Sequence, residues 1–162
     1  MQTLLETYQK ALKKNPSAIA LDAPDGQLTF EALEQWSNQI AAQIGTTFAG
    51  AIVGILFPPS MAYGVALLAC MKAGVISQLL EPTNPSCRPE VDSKLPLCLC
   101  APELQNQAMS IAETSIPIGK KWDREIEAPP LKLPPQIEAL HLLETSGSSG
   151  QPTQVTVGKK TI

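Results

Sequence analysis

Ala51-Ile-Val-Gly-Ile-Leu-Phe57 is a continuous apolar run that ends at two prolines, which is typical of a strand buried on both faces. Ser60 can cap a helix that reaches Ala73, and Gly74 stands where helices favour a terminal glycine. Val75-Ile-Ser-Gln-Leu-Leu80 then predicts a second buried strand. A strand, a helix and a strand with short joints form a βαβ unit, normally parallel and right-handed. This stretch therefore predicts an α/β fold.

The segments on either side extend the same alternation. Before the βαβ unit, Thr29 can cap a helix in which apolar residues recur at helical spacing over 30–44. After it, Leu95-Pro-Leu-Cys-Leu-Cys100 predicts a third strand, followed by an amphipathic helix over 103–113 and a short strand over 115–118. We therefore expect a mainly parallel sheet flanked by helices.

The composition of the chain changes after residue 118. Pro129, Pro130, Pro134 and Pro135 lie among charged residues, so segment 119–136 is interpreted as a proline-rich linker. The sequence predicts an α/β subdomain over 1–118, this linker, and a strand–loop–strand hairpin over 137–162.

A small loop rich in hydroxyl groups and glycine lies between the two strands of that hairpin. Thr145-Ser146-Gly147-Ser148-Ser149-Gly150 follows an apolar run and precedes a β-branched one. Glycines let backbone N–H groups approach an anion, and hydroxyl groups add donors without bulk. The Gly-Lys-Ser/Thr ending of the Walker loop is missing. The loop is a candidate phosphate cradle, and a plain surface hairpin is the alternative.

Residues 145–153 (TSGSSGQPT) resemble the TSGSTGxPK signature of the acyl- and aryl-adenylating enzymes, which include acid–CoA ligases and peptide-synthetase adenylation domains. Two upstream segments match in the expected order. Residues 27–33 (QLTFEAL) resemble the LTYxEL segment, and residues 71–82 (MKAGVISQLLEP) resemble the xKAGaxxvPLdP segment. Phe57-Pro58-Pro59-Ser60 is similar to the PNS turn that opens the helix between them.

The resemblance implies that the chain is the N-terminal portion of an ATP-dependent, AMP-forming acid ligase. It implies that Thr145–Gly150 bind the β- and γ-phosphates of ATP, with Mg²⁺ sharing the charge, and that the other matched segments are mainly scaffold. The cofactors expected in the complete enzyme are ATP and Mg²⁺, and the substrate is a carboxylic acid. No catalytic residue is expected within this chain.

Several positions depart from the family pattern. Thr153 and Gln151 stand where lysine is frequent, and Gln154 replaces a glycine. Losing a direct cation–phosphate contact costs about 1.5–3 kcal/mol. Residues 78–80 (QLL) also lack the usual Val-Pro.

The chain ends shortly after the loop, whereas family members continue far beyond it. By the resemblance, the missing part holds the adenine and ribose contacts, the acid pocket and the C-terminal lysine. It would also decide which acid is activated and whether CoA or a carrier protein accepts the acyl group. We therefore expect little activity from the chain alone. It is interpreted as a truncated product, a shortened reading frame or one half of a split enzyme, with the remainder as a separate partner chain. A non-catalytic interaction or scaffold domain derived from an adenylation domain is the alternative.

Composition limits the other classes of function. Hydrophobic residues make up 44% of the 162 residues and charged residues 17%, as in a globular chain. A net charge of −3 without a basic block argues against nucleic acid as a partner. Apolar run 65–71 is far shorter than the ~20 residues of a membrane span, and residues 1–6 do not form a secretory signal, so a cytoplasmic location is expected.

The cysteines and the single histidine fit this class. Cys70, Cys87, Cys98 and Cys100 contain no CxxC pair, so metal binding is not expected. Cys98 and Cys100 alternate with leucines and should face the same way as small apolar fillers of the core. His141 lies in a strand pattern without a nearby nucleophile, which favours a structural role, although it stays a candidate base.

Overall fold

The computed structural model describes residues 3–83, 93–119, 139–146 and 152–158. Two short 3₁₀ turns, Thr46–Phe48 and Pro102–Leu104, accompany the main elements. In chain order, the helices and strands of the described residues are α1 (Leu4–Lys14), β1 (Ile19–Ala23), β2 (Gly26–Thr29), α2 (Phe30–Ile44), β3 (Ile52–Leu56), α3 (Met61–Ala73), β4 (Ile76–Leu79), β5 (Leu95–Cys100), α4 (Gln105–Ile111), β6 (Ala112–Pro117), β7 (Ala139–Ser146) and β8 (Pro152–Gly158).

The predicted helix caps are confirmed. The hydroxyl of Thr29 accepts a hydrogen bond from the backbone N–H of Ala32 at the start of α2, and the hydroxyl of Ser60 accepts one from Tyr63 at the start of α3. Gly74 ends α3 with φ of 67°, a left-handed conformation that glycine adopts without a steric cost. Local sequence signals therefore place both ends of α3, the helix that joins the first two parallel strands.

Six of the strands form one sheet in the order β6-β5-β3-β4-β7-β8. β3 pairs in parallel with β4 on one side and with β5 on the other, while β6 and β7 continue the parallel sheet outward. β8 is antiparallel to β7, and β1 and β2 form a separate antiparallel hairpin. The predicted mainly parallel sheet flanked by helices is confirmed.

The helices cover opposite faces of this sheet. Val53 and Ile55 of β3 pack with α2 and α3 on one face, and Leu56 packs with α4 on the other. Gly54 lies between them, and a Cβ there would come within 3.1 Å of Leu95, Leu80 and Cys98. Side chains of β5 and of Leu80, the residue after β4, therefore fill the space beside Gly54.

The helix predicted over 103–113 is wrong in its extent. Pro102–Leu104 form a 3₁₀ turn, and α4 ends at Ile111. Ala112 is instead the first residue of β6, where it pairs with Leu95 of β5. The strand predicted over 115–118 thus begins three residues earlier, because parallel pairing along β5 replaces the last helical turn.

The predicted division of the chain at 119–136 stays a prediction, because residues 120–138 lie outside the described residues. β7 and β8 join the same sheet as β3–β6 through the pairing of β4 with β7. Among the described residues, no helix is both long and apolar enough to cross a membrane.

Cys98 and Cys100 face the same side of the sheet, as predicted, in the cluster under α4. Cys70 lies in the cluster of the opposite face, and all three side chains are buried thiols. Burial raises the pKa of Cys70 above its usual range, and burial together with Glu103 raises the pKa of Cys100 from 9.0 to about 11. Cys87 lies outside the described residues.

We expect these three thiols to react with a thiol-specific reagent only when the chain unfolds, because the thiolate is the reactive form. A Cys87→Ser variant, treated with Ellman's reagent at pH 8, should release about three equivalents in denaturant and almost none natively. Since the pKa of folded Cys100 is raised, its contribution to stability is complete at neutral pH and is lost as the pH rises toward 11. Rapid native reaction of all three thiols would contradict this burial.

Candidate phosphate-binding site

The strands on either side of the predicted phosphate loop are paired directly up to it. β7 ends at Ser146, which lies opposite Pro152, the first residue of β8, and Thr145 lies opposite Thr153. Gly147, Ser148, Ser149 and Gly150 lie outside the described residues, so their role stays a prediction. The described backbone shows two antiparallel strands, one before residues 147–151 and one after them.

The direction of β7 sets the edge of the sheet at which the first two residues of this loop lie. Because β7 is parallel to β4, Thr145 and Ser146 lie at the carboxyl edge of the parallel strands. β3 ends at the same edge, and helices on opposite faces follow β3 and β5 there. Open α/β sheets bind ligands at this edge, where strand order reverses.

The hairpin of β7 and β8 extends beyond its neighbour. Gln78 of β4 pairs with Leu142 of β7, so Leu79, the last residue of β4, is level with Leu143. β7 continues for three further residues to Ser146. At a rise of about 3.3 Å per residue, the end of β7 projects roughly 10 Å past the end of β4. The loop therefore starts from a projecting hairpin rather than from the level of the sheet.

The amino end of α3 also lies at the carboxyl edge, but a side chain already occupies it. The backbone N–H of Met61 donates to Oδ1 of Asp25 at 2.8 Å, and that of Tyr63 donates to Ser60. Asp25 comes from the turn between β1 and β2. Its carboxylate supplies the negative charge that a helix amino end favours. This end of α3 is thus a poor second site for phosphate.

Replacing Asp25 by alanine should lower the free energy of unfolding by about 1 kcal/mol, the usual cost of removing a helix cap. Asp25→Asn keeps an acceptor oxygen and should lose less. Urea unfolding of both variants measures the change, with Asp22→Ala, an exposed carboxylate of the same hairpin, as the matched control. If Asp22→Ala lowers the free energy of unfolding as much as Asp25→Ala does, the hydrogen bond from Met61 to Asp25 does not contribute specifically to stability.

Sequence reasoning missed a buried ionic cluster at the other end of α3. Lys72, only 3% exposed, donates from Nζ to Oε2 of Glu34 at 2.6 Å, to Oγ of Ser37 at 2.8 Å and to Oδ1 of Asn38 at 2.7 Å. These acceptors lie on one turn of α2. A lysine in an otherwise apolar helix was the available signal, because a buried ammonium requires partners.

An aromatic residue of α1 completes this cluster. The ring centroid of Tyr8 lies 5.6 Å from Nζ of Lys72, within the range of a cation–π contact. Burial lowers the pKa of Lys72 and Glu34 partly offsets that effect, while burial and the Glu34 charge raise the pKa of Tyr8. Lys72 lies in the last turn of α3, at the amino edge of the sheet, so the cluster is separate from the phosphate loop.

The acidic side chains of the described ranges provide no further site, and only the backbone position of His141 is described. His141 lies within β7, opposite Ser77 of β4 and Val157 of β8, so its proposed structural role stays a prediction. Within the described ranges, no three His, Cys, Asp or Glu side chains come together to hold a metal ion.

Solved structures share this architecture over most of the chain. The o-succinylbenzoate CoA synthetase of Bacillus subtilis, in complex with its acyl-adenylate intermediate, aligns with a TM-score of 0.75 and 22% identity, over 93% of this chain and 41% of that one. The N-terminal subdomain of NpsA from Klebsiella oxytoca aligns with a TM-score of 0.72 and 18% identity, over 98% and 41%. The fold is that of the N-terminal subdomain of adenylate-forming enzymes.

The sequence model of the AMP-binding enzyme family matches residues 8–158, so the chain belongs to that family. Nonribosomal peptide synthetase 6 of Cochliobolus miyabeanus is 33% identical over 153 residues, which covers 85% of this chain and 9% of the relative. Nonribosomal peptide synthetase chyA of Penicillium rubens is 31% identical over 159 residues, which covers 87% and 6%. The chain thus spans less than a tenth of the length of these relatives.

Proposed function

We propose that this chain is the N-terminal portion of an ATP-dependent, AMP-forming carboxylic acid ligase and contributes its pyrophosphate-binding loop. In this proposal Thr145–Gly150 hold the β- and γ-phosphates of ATP. The observation that carries it is that the family match runs through both strands that frame the loop. The proposed location is the cytoplasm, which agrees with the buried cysteines being thiols rather than disulfides.

The task of the loop follows from the chemistry of acid activation. A carboxylate becomes a good acyl donor only when one of its oxygens is joined to the α-phosphate of ATP, with pyrophosphate as the leaving group. Backbone N–H groups and hydroxyls of residues 145–150 would orient that leaving group and stabilise its growing charge. Bound magnesium would supply further positive charge on the same phosphates. The loop needs no nucleophile for this task.

A non-catalytic scaffold role is the second candidate. Thr153 lies directly opposite Thr145 at the base of the loop and supplies no cation where the family pattern frequently has lysine. A loop without that charge binds polyphosphate less tightly. The chain spans only a small part of the length of its relatives. A carboxylic acid substrate, an acceptor for the acyl group and a separate chain that carries the rest of the enzyme are therefore also part of the proposal.

Exchange of labelled pyrophosphate into ATP tests both candidates in two steps. The purified 162-residue chain should stay at background with any carboxylic acid. Residues 145–153 should then be transplanted into an active relative in place of its own loop. Exchange within about 150-fold of the parent enzyme would support the phosphate role, because one lost charge-assisted contact costs about 1.5–3 kcal/mol, which is roughly 10- to 150-fold. A transplant that folds and binds substrate acid but does not exchange would favour the scaffold candidate.

A further inference from the structure

Lys72 is a buried ammonium that the proposed phosphate chemistry does not use, and α1 covers one side of it. Its three N–H donors are directed to Glu34, Ser37 and Asn38, all on α2. The ring of Tyr8, on α1, lies near the same ammonium. Access of solvent or a reagent to Nζ from this side therefore depends on the position of α1.

α1 is attached to the rest of the fold less firmly than the other long helices. It contributes no fully buried residue, whereas Ile40 of α2 and Val65 of α3 are almost completely buried. Leu5 and Tyr8 of α1 are half-buried against the core. The Tyr8 hydroxyl donates to the carbonyl of Phe30 at 3.2 Å, and the two rings lie 5.6 Å apart. Tyr8 is thus the main polar and aromatic anchor of the helix.

The chain that follows α1 is held independently. α1 ends at Lys14, and Asn15 is its C-cap. The carbonyl of Pro16 accepts a hydrogen bond from the backbone N–H of Glu31 at 3.0 Å. The carbonyl of Ala18 likewise accepts one from Phe30 at 3.0 Å. α1 can therefore swing away about Asn15 without breaking either of these bonds.

We propose that α1 opens as a unit while α2, α3 and the sheet stay folded, and that this opening exposes the ammonium of Lys72. The opening belongs to the fold itself and does not depend on the proposed ligase function. Segments with little buried apolar surface are the ones that open locally below the global free energy of unfolding.

An amine-reactive ester converts this exposure into a measurable mark. In the open state, the neutral amine of Lys72 attacks the ester carbonyl of N-hydroxysuccinimidyl acetate. A C–N bond forms, the C–O bond breaks with N-hydroxysuccinimide as leaving group, and a proton passes to solvent. The amide has no charge and a single N–H, so it cannot satisfy Glu34, Ser37 and Asn38. Acetylation should therefore hold α1 open.

The first test compares acetylation rates on the 162-residue chain by peptide mass spectrometry. Lys72 should react at least about tenfold more slowly than exposed Lys10 of α1. The Tyr8→Ala variant loses the hydrogen bond to Phe30 and the ring contact with Lys72, so it should raise the acetylation rate of Lys72 about tenfold. Tyr8→Phe keeps the ring and should raise it less. Leu4→Ala, at an exposed position of the same helix, is the matched control and should change nothing.

Amide hydrogen exchange on the unmodified chain gives a second test that needs no variant. The amides of α1 should exchange faster than those of α2 and β3. The proposal is wrong if α1 and β3 exchange with one common rate, since Lys72 would then become accessible only on global unfolding. An unchanged Lys72 rate in folded Tyr8→Ala would also overturn it.

Discussion

A chain with Lys72 replaced by methionine is expected to lose about 3 kcal/mol of unfolding free energy. Methionine keeps the apolar stem but leaves Glu34, Ser37 and Asn38 without the donor that now lies 2.6–2.8 Å away. Breaking a buried ion pair on one side costs about 3–5 kcal/mol. The lower end of this range applies because the Glu34 side chain is still 28% exposed, so solvent can partly hydrate the unpaired carboxylate. Urea unfolding should show a lower midpoint with an unchanged slope.

Two further variants distinguish the lost pair from a change in packing. Adding Glu34→Leu to Lys72→Met removes the unpaired carboxylate and should restore much of the stability. Lys13→Met, an exposed lysine of α1, should stay within about 0.5 kcal/mol of the parent chain. A loss below about 1 kcal/mol in the single Lys72 variant would show that the cluster behaves like a surface ion pair.

Leucine in place of Ser148 is expected to reduce adenylation about 100-fold or more in the relative that carries transplanted residues 145–153. A branched side chain in a phosphate cradle blocks the approach of the anion and removes a hydroxyl donor, and losing one such donor alone costs about 10²–10³ in kcat. Pyrophosphate exchange at saturating acid measures the effect. The melting temperature should hardly move if the effect is on phosphate binding rather than on folding.

Thr153→Lys in the same transplant tests the opposite direction. It restores a charge at the base of the loop, so the KM for ATP should fall about tenfold.

If the Ser148 variant keeps full activity and an unchanged KM for ATP, the Gly/Ser segment is an ordinary hairpin turn and the phosphate proposal fails.

The local signals in the sequence proved more reliable than the long-range ones. Ser60, Gly74 and the apolar runs around them specify the first βαβ unit, because caps and burial on both faces act within a few residues. The boundary between α4 and β6 was missed at Ala112, since its strand conformation comes from pairing with Leu95, seventeen residues earlier. Helix and strand propensities of individual residues do not indicate which strand a segment pairs with.

At the candidate site, too, contacts between residues far apart in the sequence could not be predicted. The sequence identifies the loop and its two strands, and the structure adds the edge and the projection of the hairpin. Asp25 and Lys72 were not singled out, because each depends on a partner more than thirty residues away, Met61 and Glu34 respectively. Polar residues of this kind become interpretable only when the packing of the helices is known.

The strand order β6-β5-β3-β4-β7-β8 also has a consequence for synthesis on the ribosome. In the order in which the strands are made, β4 first pairs with β3, and β5 then pairs with the other edge of β3. After that β6 pairs with β5, β7 pairs with β4 and β8 pairs with β7. Each newly emerging strand meets an open edge of the sheet and never has to separate two strands already paired. The sheet can thus grow outward from β3 during translation, and β7 and β8 are the last of the described strands to join it.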